Sequence, residues 1–483
     1  MSRLRRLLLA LMLGLALGAG ADTLPRPSPR IDDALRLIEL WLDAQRLADR
    51  LPSLSVGVAL GPDRTWTRGF GSVDAAGRVP VGEDTVYSVC SISKLFTAVA
   101  VMQLWEAGRL SLDDDVVKHV SEFALRRNTP DSVPITVRSL LMHAGGLPRE
   151  AVGAYWTDLD FPTRAQLYER LRQQQTLVAA HERHLYSNLG MAVLGDVVAA
   201  ASGMPYDEYV RRQLIGPLGL VDTQPRLPTE WLGQRLPAGH GSLRRDGTRA
   251  VVPPFDVAGL AAAAGFTTSA RDLARFSAWQ LGLLQRGGSD VLRASTLREM
   301  QRLHWQDSDG RNSWGLGFSV WREGGHLLVG HTGLCPGYRS SWLLAPQEGY
   351  ALFGLTNADG YVGTAPYTSA MRQLLVKGWK LTPPADPAAL QPYTGRYLTM
   401  PSDHESVVVP WGEGLAWLQL PANNPASALV VLRPDGPDRF RIVTDDGRPG
   451  GILRFERNAQ GEVVALRDGA QRIHRAGPLP PTR

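Results

Sequence analysis

The sequence predicts a mixed α/β domain followed by a small all-β domain, on three observations. Strand-like runs sit at both ends of a long, mostly helical stretch. A Pro-rich segment, Leu381-Thr382-Pro383-Pro384-Ala385-Asp386-Pro387, has linker composition. After it, short alternating runs recur without any helical period. The chain has 483 residues, which exceeds one ordinary core at about 150 residues per domain.

The elements follow in order. Leu35, Ile38 and Leu42 recur at helical spacing after the breaker-rich Pro25-Arg26-Pro27-Ser28-Pro29, so a helix is expected over Ile31 to Arg50. Leu54 to Leu60 and Thr65 to Val73 read as a strand pair joined by Gly61-Pro62-Asp63. From Ser91 to about Ala107, the positions Leu95, Ala98, Val99 and Met102 share one helical face, and Gly108 is a natural stop. Residues 135 to 285 are mostly helical in pattern. Phe318 to Val320, His326 to His331 and Tyr350 to Leu355 read as strands. Beyond the linker come Ser406 to Val409, Leu415 to Leu420, Ala428 to Leu432 and Phe440 to Val443. The expected organisation is a signal segment over 1–21, a catalytic domain over 22–380, a linker over 381–389 and a C-terminal β domain over 390–483.

The first residues read as a secretory signal. Arg3, Arg5 and Arg6 are its basic region, Leu7 to Leu17 its apolar stretch and Ala19-Gly20-Ala21 its cleavage site. A periplasmic or secreted chain starting at Asp22 is therefore expected, with no membrane-spanning segment after cleavage; a membrane anchor is the alternative, for which an apolar run of about a dozen residues is short. The net charge is +5, and removing three signal arginines leaves +2. That near-neutrality, with no basic run interleaved with aromatics, argues against nucleic acid as a partner.

Only four lysines occur, Lys94, Lys118, Lys377 and Lys380, against many arginines. One of them completes Ser91-Ile92-Ser93-Lys94. Arginine cannot release its proton at accessible pH, whereas a desolvated lysine can act as a base. Residues three apart share a helical face, so the Lys94 amine can reach the Ser91 hydroxyl. A serine at a helix start also offers its amide to a developing oxyanion. The alternative is a capping serine beside a solvated lysine. Tyr186-Ser187-Asn188 opens another helical pattern; a phenol can relay a proton and an amide can hold a carbonyl, but alone the triplet could be a helix cap. Gly330-His331-Thr332-Gly333 ends an apolar strand, and by itself could be a polar strand end and a turn.

Together and in this order, the three motifs resemble the penicillin-recognising serine enzymes: class C β-lactamases, serine D,D-carboxypeptidases, D-aminopeptidases and related esterases. Supporting segments are Leu112-Asp113-Asp114, Ile135 to Leu141 with His143 and Gly146-Leu147-Pro148, Pro217 to Leu220 with Asp222-Thr223, and Ser269 to Phe276. The resemblance covers about residues 31 to 380. It implies an antiparallel sheet flanked by helices, with a helical subdomain and the site between them. A barrel-like β domain would follow.

The resemblance further implies that Ser91 is the acylated nucleophile, with Lys94 and Tyr186 sharing its proton. Asn188, His331, Thr332 and Gly333 would bind substrate, and the backbone amides of Ser91 and Leu334 would form the oxyanion hole. A substrate of peptide or small-molecule type is implied, a cell-wall peptide or β-lactam, with no cofactor and no metal. D-amino-acid peptides are the leading class, a β-lactamase or esterase is the alternative, and an idle scaffold or wall-binding protein is an alternative of another kind. His331 stands where β-lactamases usually carry lysine. If it titrates near neutrality, capture of a substrate carboxylate should weaken as pH rises.

The only two cysteines, Cys90 beside the nucleophile and Cys335 two residues after Gly333, flank the same site. A Cys90–Cys335 disulfide is expected, as in some class A carbapenem-hydrolysing enzymes; two small buried thiols are the alternative. Other features read plainly. His181-Glu182-Arg183-His184 lacks zinc-ligand spacing, Asp113-Asp114-Asp115 reads as a helix start, and Trp156, Trp305 and Trp314 could line a substrate cleft but read first as core packing.

Overall fold

The computed structural model describes residues 27–360, 363–444 and 446–482. The expected signal segment lies outside them. Helix α1 (Ile31–Ala48) leads into the hairpin β1 (Ser53–Leu60) and β2 (Thr65–Gly71), in which Val56 faces Arg68. Helix α2 (Ser93–Glu106) begins a helical region that includes α3 (Asn188–Ser202) and α4 (Ala270–Arg286). The chain then returns through β3 (Trp305–Gln306), β4 (Ser313–Trp314), β5 (Ser319–Glu323), β6 (His326–Cys335), β7 (Tyr338–Ala345) and β8 (Tyr350–Thr356). These strands form one antiparallel eight-stranded sheet in the order β2-β1-β8-β7-β6-β5-β4-β3. The hairpin is the first sheet segment made, yet β1 is completed by β8, with Val58 opposite Leu352.

Two cores cover the two faces of this sheet. On one, α1 packs beside α5 (Thr364–Gly378) through Ala34, Ile38, Leu42, Met371 and Leu375. On the other, α2, α3 and α4 bury a larger cluster around Leu95, Phe96, Val193 and Phe276. The rings of Phe266 and Phe276 stack on Phe96 at 4.8 and 4.7 Å. Ser91 to Lys94 thus enter α2 between the sheet and the helical region.

Helix α2 forms where its pattern placed it, and Ser93 to Met102 are buried without interruption, because sheet and helices enclose it. The structure departs from the expected elements at two places. Strand β7 was not anticipated: as a central strand covered on both faces it reads as a continuous buried run, without the alternation that marks a half-exposed strand. The middle of the chain is broken into short helices, with few longer ones.

After a 3-10 helix (Pro387–Tyr393), strands β9 (Gly395–Thr399), β10 (His404–Trp411) and β11 (Gly414–Leu420) and five further strands up to Gly477 close an antiparallel barrel. Four of its eight strands were legible as alternating runs. The barrel seats Val407, Val409, Trp411 and Leu418 on the same core as α1, and the Trp41 indole donates to Ala422 O at 2.8 Å.

Candidate active site

Ser91 lies in a single 3-10 turn, Cys90–Ile92, that runs into α2. The turn is held from three sides. Cys90 takes a left-handed φ of 51° and is bonded to Cys335 at the end of β6, which settles the cysteine question in favour of the disulfide. Ser340 Oγ donates to Val89 O at 2.7 Å. The Phe266 amide donates to Ser93 Oγ at 2.9 Å.

Lys94 is completely buried. Its Nζ lies 3.0 Å from Ser91 Oγ, 2.8 Å from Asn188 Oδ1 and 2.8 Å from Ala263 O. Burial pushes the amine well below the ordinary lysine range, opposed by the charge of Glu150 and assisted by that of Arg149. A neutral amine has two protons and one lone pair. The two carbonyl oxygens accept only, so they take the protons and leave the lone pair for the Ser91 hydroxyl. This arrangement can deprotonate a serine.

Tyr186 lines the same cavity as Ser91, and the two side chains interact there. Burial raises its phenol above the ordinary value, so it stays protonated at neutral pH and can pass a proton between oxygen and nitrogen. Lys94 Nζ lies 5.0 Å and the Arg149 guanidinium 4.9 Å from the centre of its ring. Asn188 is the first residue of α3, which Ser187 caps by accepting the Gly190 amide at 2.9 Å while donating to Pro148 O at 2.7 Å.

Strand β6 forms the opposite wall. Its partner β5 pairs only with His326 to Gly330, leaving the edge from His331 to Cys335 open beside Ser91. Thr332 and Leu334 are exposed there, and both line a cavity of about 630 Å³ with Ser91, Tyr186, His331 and Trp314. At Gly333, β6 passes close to the turn that carries Ser91: a Cβ there would sit 2.2 Å from Val89 O and 2.1 Å from Ser340 Oγ. Gly333→Ala is expected to push β6 off the turn and lower turnover at least tenfold. The fold, read by near-UV circular dichroism, should persist; unchanged kcat and KM would refute the close-approach argument.

His331 is placed on this wall, but its setting corrects the pH expectation. Nδ1 bonds Thr332 O at 2.7 Å, and burial, aided by the Lys94 charge, pushes the imidazole down to about 3. It is neutral at physiological pH and offers no titrating charge to a substrate carboxylate. For Trp314 the cleft-lining alternative holds: it lines the cavity and touches the rings of His143, His184 and His331 at 4.9, 5.1 and 5.6 Å.

Two residues of the site carried no role in the sequence reading: His143, present only within the supporting segments, and Glu150. His143, with φ of 56°, lies under the Tyr186 ring at 4.4 Å and accepts the Ser187 amide at 3.2 Å. Glu150 accepts from the Asn188 amide and from the Tyr155 hydroxyl. The Gly146-Leu147-Pro148 segment just before Glu150 was the nearest hint. Asp115, by contrast, caps a 3-10 turn through the Val117 amide at 3.1 Å, as a helix-start reading requires. Among the described residues, no cluster of three or more His, Cys, Asp or Glu is placed to hold a metal ion.

A serine activated by a buried lysine, set between a helical region and the edge of an antiparallel sheet, defines a serine hydrolase. Sequence comparison carries the assignment further: the profile of the Beta-lactamase family matches residues 41–377, and the chain belongs to that family. Among its relatives, D-alanyl-D-alanine-carboxypeptidase/endopeptidase AmpH of Escherichia coli (strain K12) is 33% identical over 186 residues, 37% of this chain and 48% of that protein. Beta-lactamase-like protein 2 of Dictyostelium discoideum is 24% identical over 325 residues, 65% of this chain and 58% of that protein. The chain thus spans about half the length of the curated relatives it matches. Among solved structures, a D-stereospecific amidohydrolase from Streptomyces sp. superimposes with a TM-score of 0.58 and 25% identity, over 72% of this chain and 98% of that one.

Proposed function

We propose that this chain is an exported serine hydrolase that opens amide or ester bonds through a Ser91 acyl-enzyme, with D-amino-acid peptides of cell-wall type as its substrates. The observation that carries the reading is the Lys94 amine, 3.0 Å from Ser91 Oγ with its other two contacts on carbonyl oxygens. Ser91 Oγ attacks the substrate carbonyl while its proton passes to Lys94. Tyr186 then helps deliver that proton to the leaving amine, and water later releases the acyl group by the reverse path. The developing oxyanion sits between the Ser91 and Leu334 amides. Asn188 and Thr332 orient the substrate backbone, which lies along the open edge of β6.

The substrate class is supported by the names of the carboxypeptidase and D-stereospecific amidohydrolase to which the chain is similar. It also fits the absence of a lysine at 331. Export is supported by the basic and apolar leader and by a disulfide, which persists in oxidising compartments. Among the described residues, no single helix is long and apolar enough to cross a membrane. We further place the catalytic domain over 22–380 and the C-terminal unit over 390–483.

Labelling with a fluorescent penicillin, followed by intact mass over time, tests the proposal. A long-lived adduct on the parent chain that is absent from Ser91→Ala is the expected result. An adduct that clears within seconds would instead support a β-lactamase. No adduct, with no hydrolysis of D-alanyl peptides or aryl esters, would overturn the enzyme reading in favour of a scaffold.

A further inference from the structure

Glu150 stands outside the three motifs, yet it is tied to two of them through one amide. Its Oε1 accepts from Asn188 Nδ2, and its Oε2 accepts from the Tyr155 hydroxyl at 3.0 Å. Asn188 Oδ1 in turn accepts from Lys94 at 2.8 Å. A carboxylate accepts only, so it draws the NH₂ end of the amide to itself and leaves the oxygen facing Lys94.

We propose that Glu150 is a positioning residue for acylation: it locks the Asn188 amide one way up, so that the lone pair of Lys94 is left for Ser91. The inference rests on the proposed Ser91 acyl-enzyme. With the amide as observed, Asn188 Oδ1 and Ala263 O absorb both protons of the neutral amine, and its lone pair meets the Ser91 hydroxyl. With the amide turned over, Nδ2 would donate to that lone pair and compete with Ser91 for it. Glu150 is the partner that excludes this state, and Tyr155 holds it in place.

The carboxylate also acts through its charge. The charged groups facing Lys94 are Glu150, which favours the ammonium, and Arg149, which opposes it. Arg149 lies 3.8 Å from Glu150. The remaining titratable neighbours, Tyr155, Tyr186, His143 and His331, are held neutral by burial. Removing the Glu150 charge therefore makes Lys94 easier to deprotonate. Protonation of Glu150 in acid would also loosen the lock in the parent enzyme, so both effects move the acid limb of the rate in the same direction when the carboxylate is replaced.

The test is the acylation rate with a chromogenic β-lactam or aryl ester as a function of pH, for Glu150→Gln, Glu150→Ala and Glu150→Asp. Glu150→Gln keeps an acceptor for Asn188 without the charge; its plateau should fall no more than about tenfold, while its acid limb moves to lower pH. Glu150→Ala should acylate about 100-fold more slowly, within the range for a misaligned base, with Glu150→Asp intermediate. An unmoved acid limb in Glu150→Gln, or a parental rate in Glu150→Ala, would overturn the proposal. Should the alanine variant fail to fold, the limb of the glutamine variant still decides. Ser91→Ala separates the two readings: if it still acylates, the nucleophile assignment fails; if it is silent while the Glu150 variants react as the parent does, only the role of Glu150 fails.

Discussion

Exchanging Lys94 for methionine is expected to slow acylation of Ser91 by at least about 10³-fold, with noncovalent substrate affinity nearly unchanged. The size follows from what Lys94 is surrounded by. It is completely buried, and no solvent base can stand in for it. Its hydrogen-bond partners are one hydroxyl and two carbonyl oxygens, so its nitrogen is the one placed to take the hydroxyl proton. Arginine should be as inactive as methionine, because a guanidinium carries its charge at any accessible pH. In the parent enzyme the neutral amine is the working form, so the rate should rise with pH through a limb that lies well below the ordinary lysine range and fall below it. Rapid-mixing measurement of acyl-enzyme formation checks all three points. A methionine variant within tenfold of the parent would move the base elsewhere, with Tyr186 the next residue to test.

How much of this was legible in the sequence depends on whether the chemistry is local. Ser91 and Lys94 are three apart on one helix, so their contact follows from helical geometry alone. Tyr186 and Asn188 flank a helix cap, and Thr332 and Gly333 end a strand, so each was found as a short motif at an element boundary. The convergence of these motifs on one cavity is a tertiary fact, and so is every residue the sequence did not disclose. Glu150 follows a loop and reaches Asn188 across 38 positions. Trp314 is an isolated aromatic whose cavity-lining role arises only when β4 takes its place beside β5 in the sheet. His331 was found as a residue but misjudged as a charge, because its pKa is set by burial that no local pattern reports. The barrel shows the same limit: alternation revealed the strands with one clear apolar face, while exposed strands such as Pro449–Arg457 gave no signal.

The disulfide joins stability to catalysis, and removing it should show in both. Cys90 and Cys335 are 245 residues apart, and both are buried. Closing so long a loop is worth up to about 5 kcal/mol on the chain-entropy estimate, so the Cys90→Ala, Cys335→Ala pair should unfold at clearly lower denaturant than the oxidised parent. Reductant should move the parent towards the variant and leave the variant where it is. The bridge also ties the residue before the nucleophile to the end of β6, the strand that offers Thr332 and the Leu334 amide. Without it, the gap between the two proposed oxyanion donors is still bounded by the Ser340 to Val89 hydrogen bond at 2.7 Å and the close approach at Gly333. A displacement of an ångström between reacting groups can cost about 10²-fold in rate; with those two restraints still in place, about a tenfold loss of acylation is expected. A variant that loses stability but acylates as the parent does would make the bridge a staple of the fold alone. One that loses rate in proportion would show that the nucleophile turn is held to its substrate strand by covalent means.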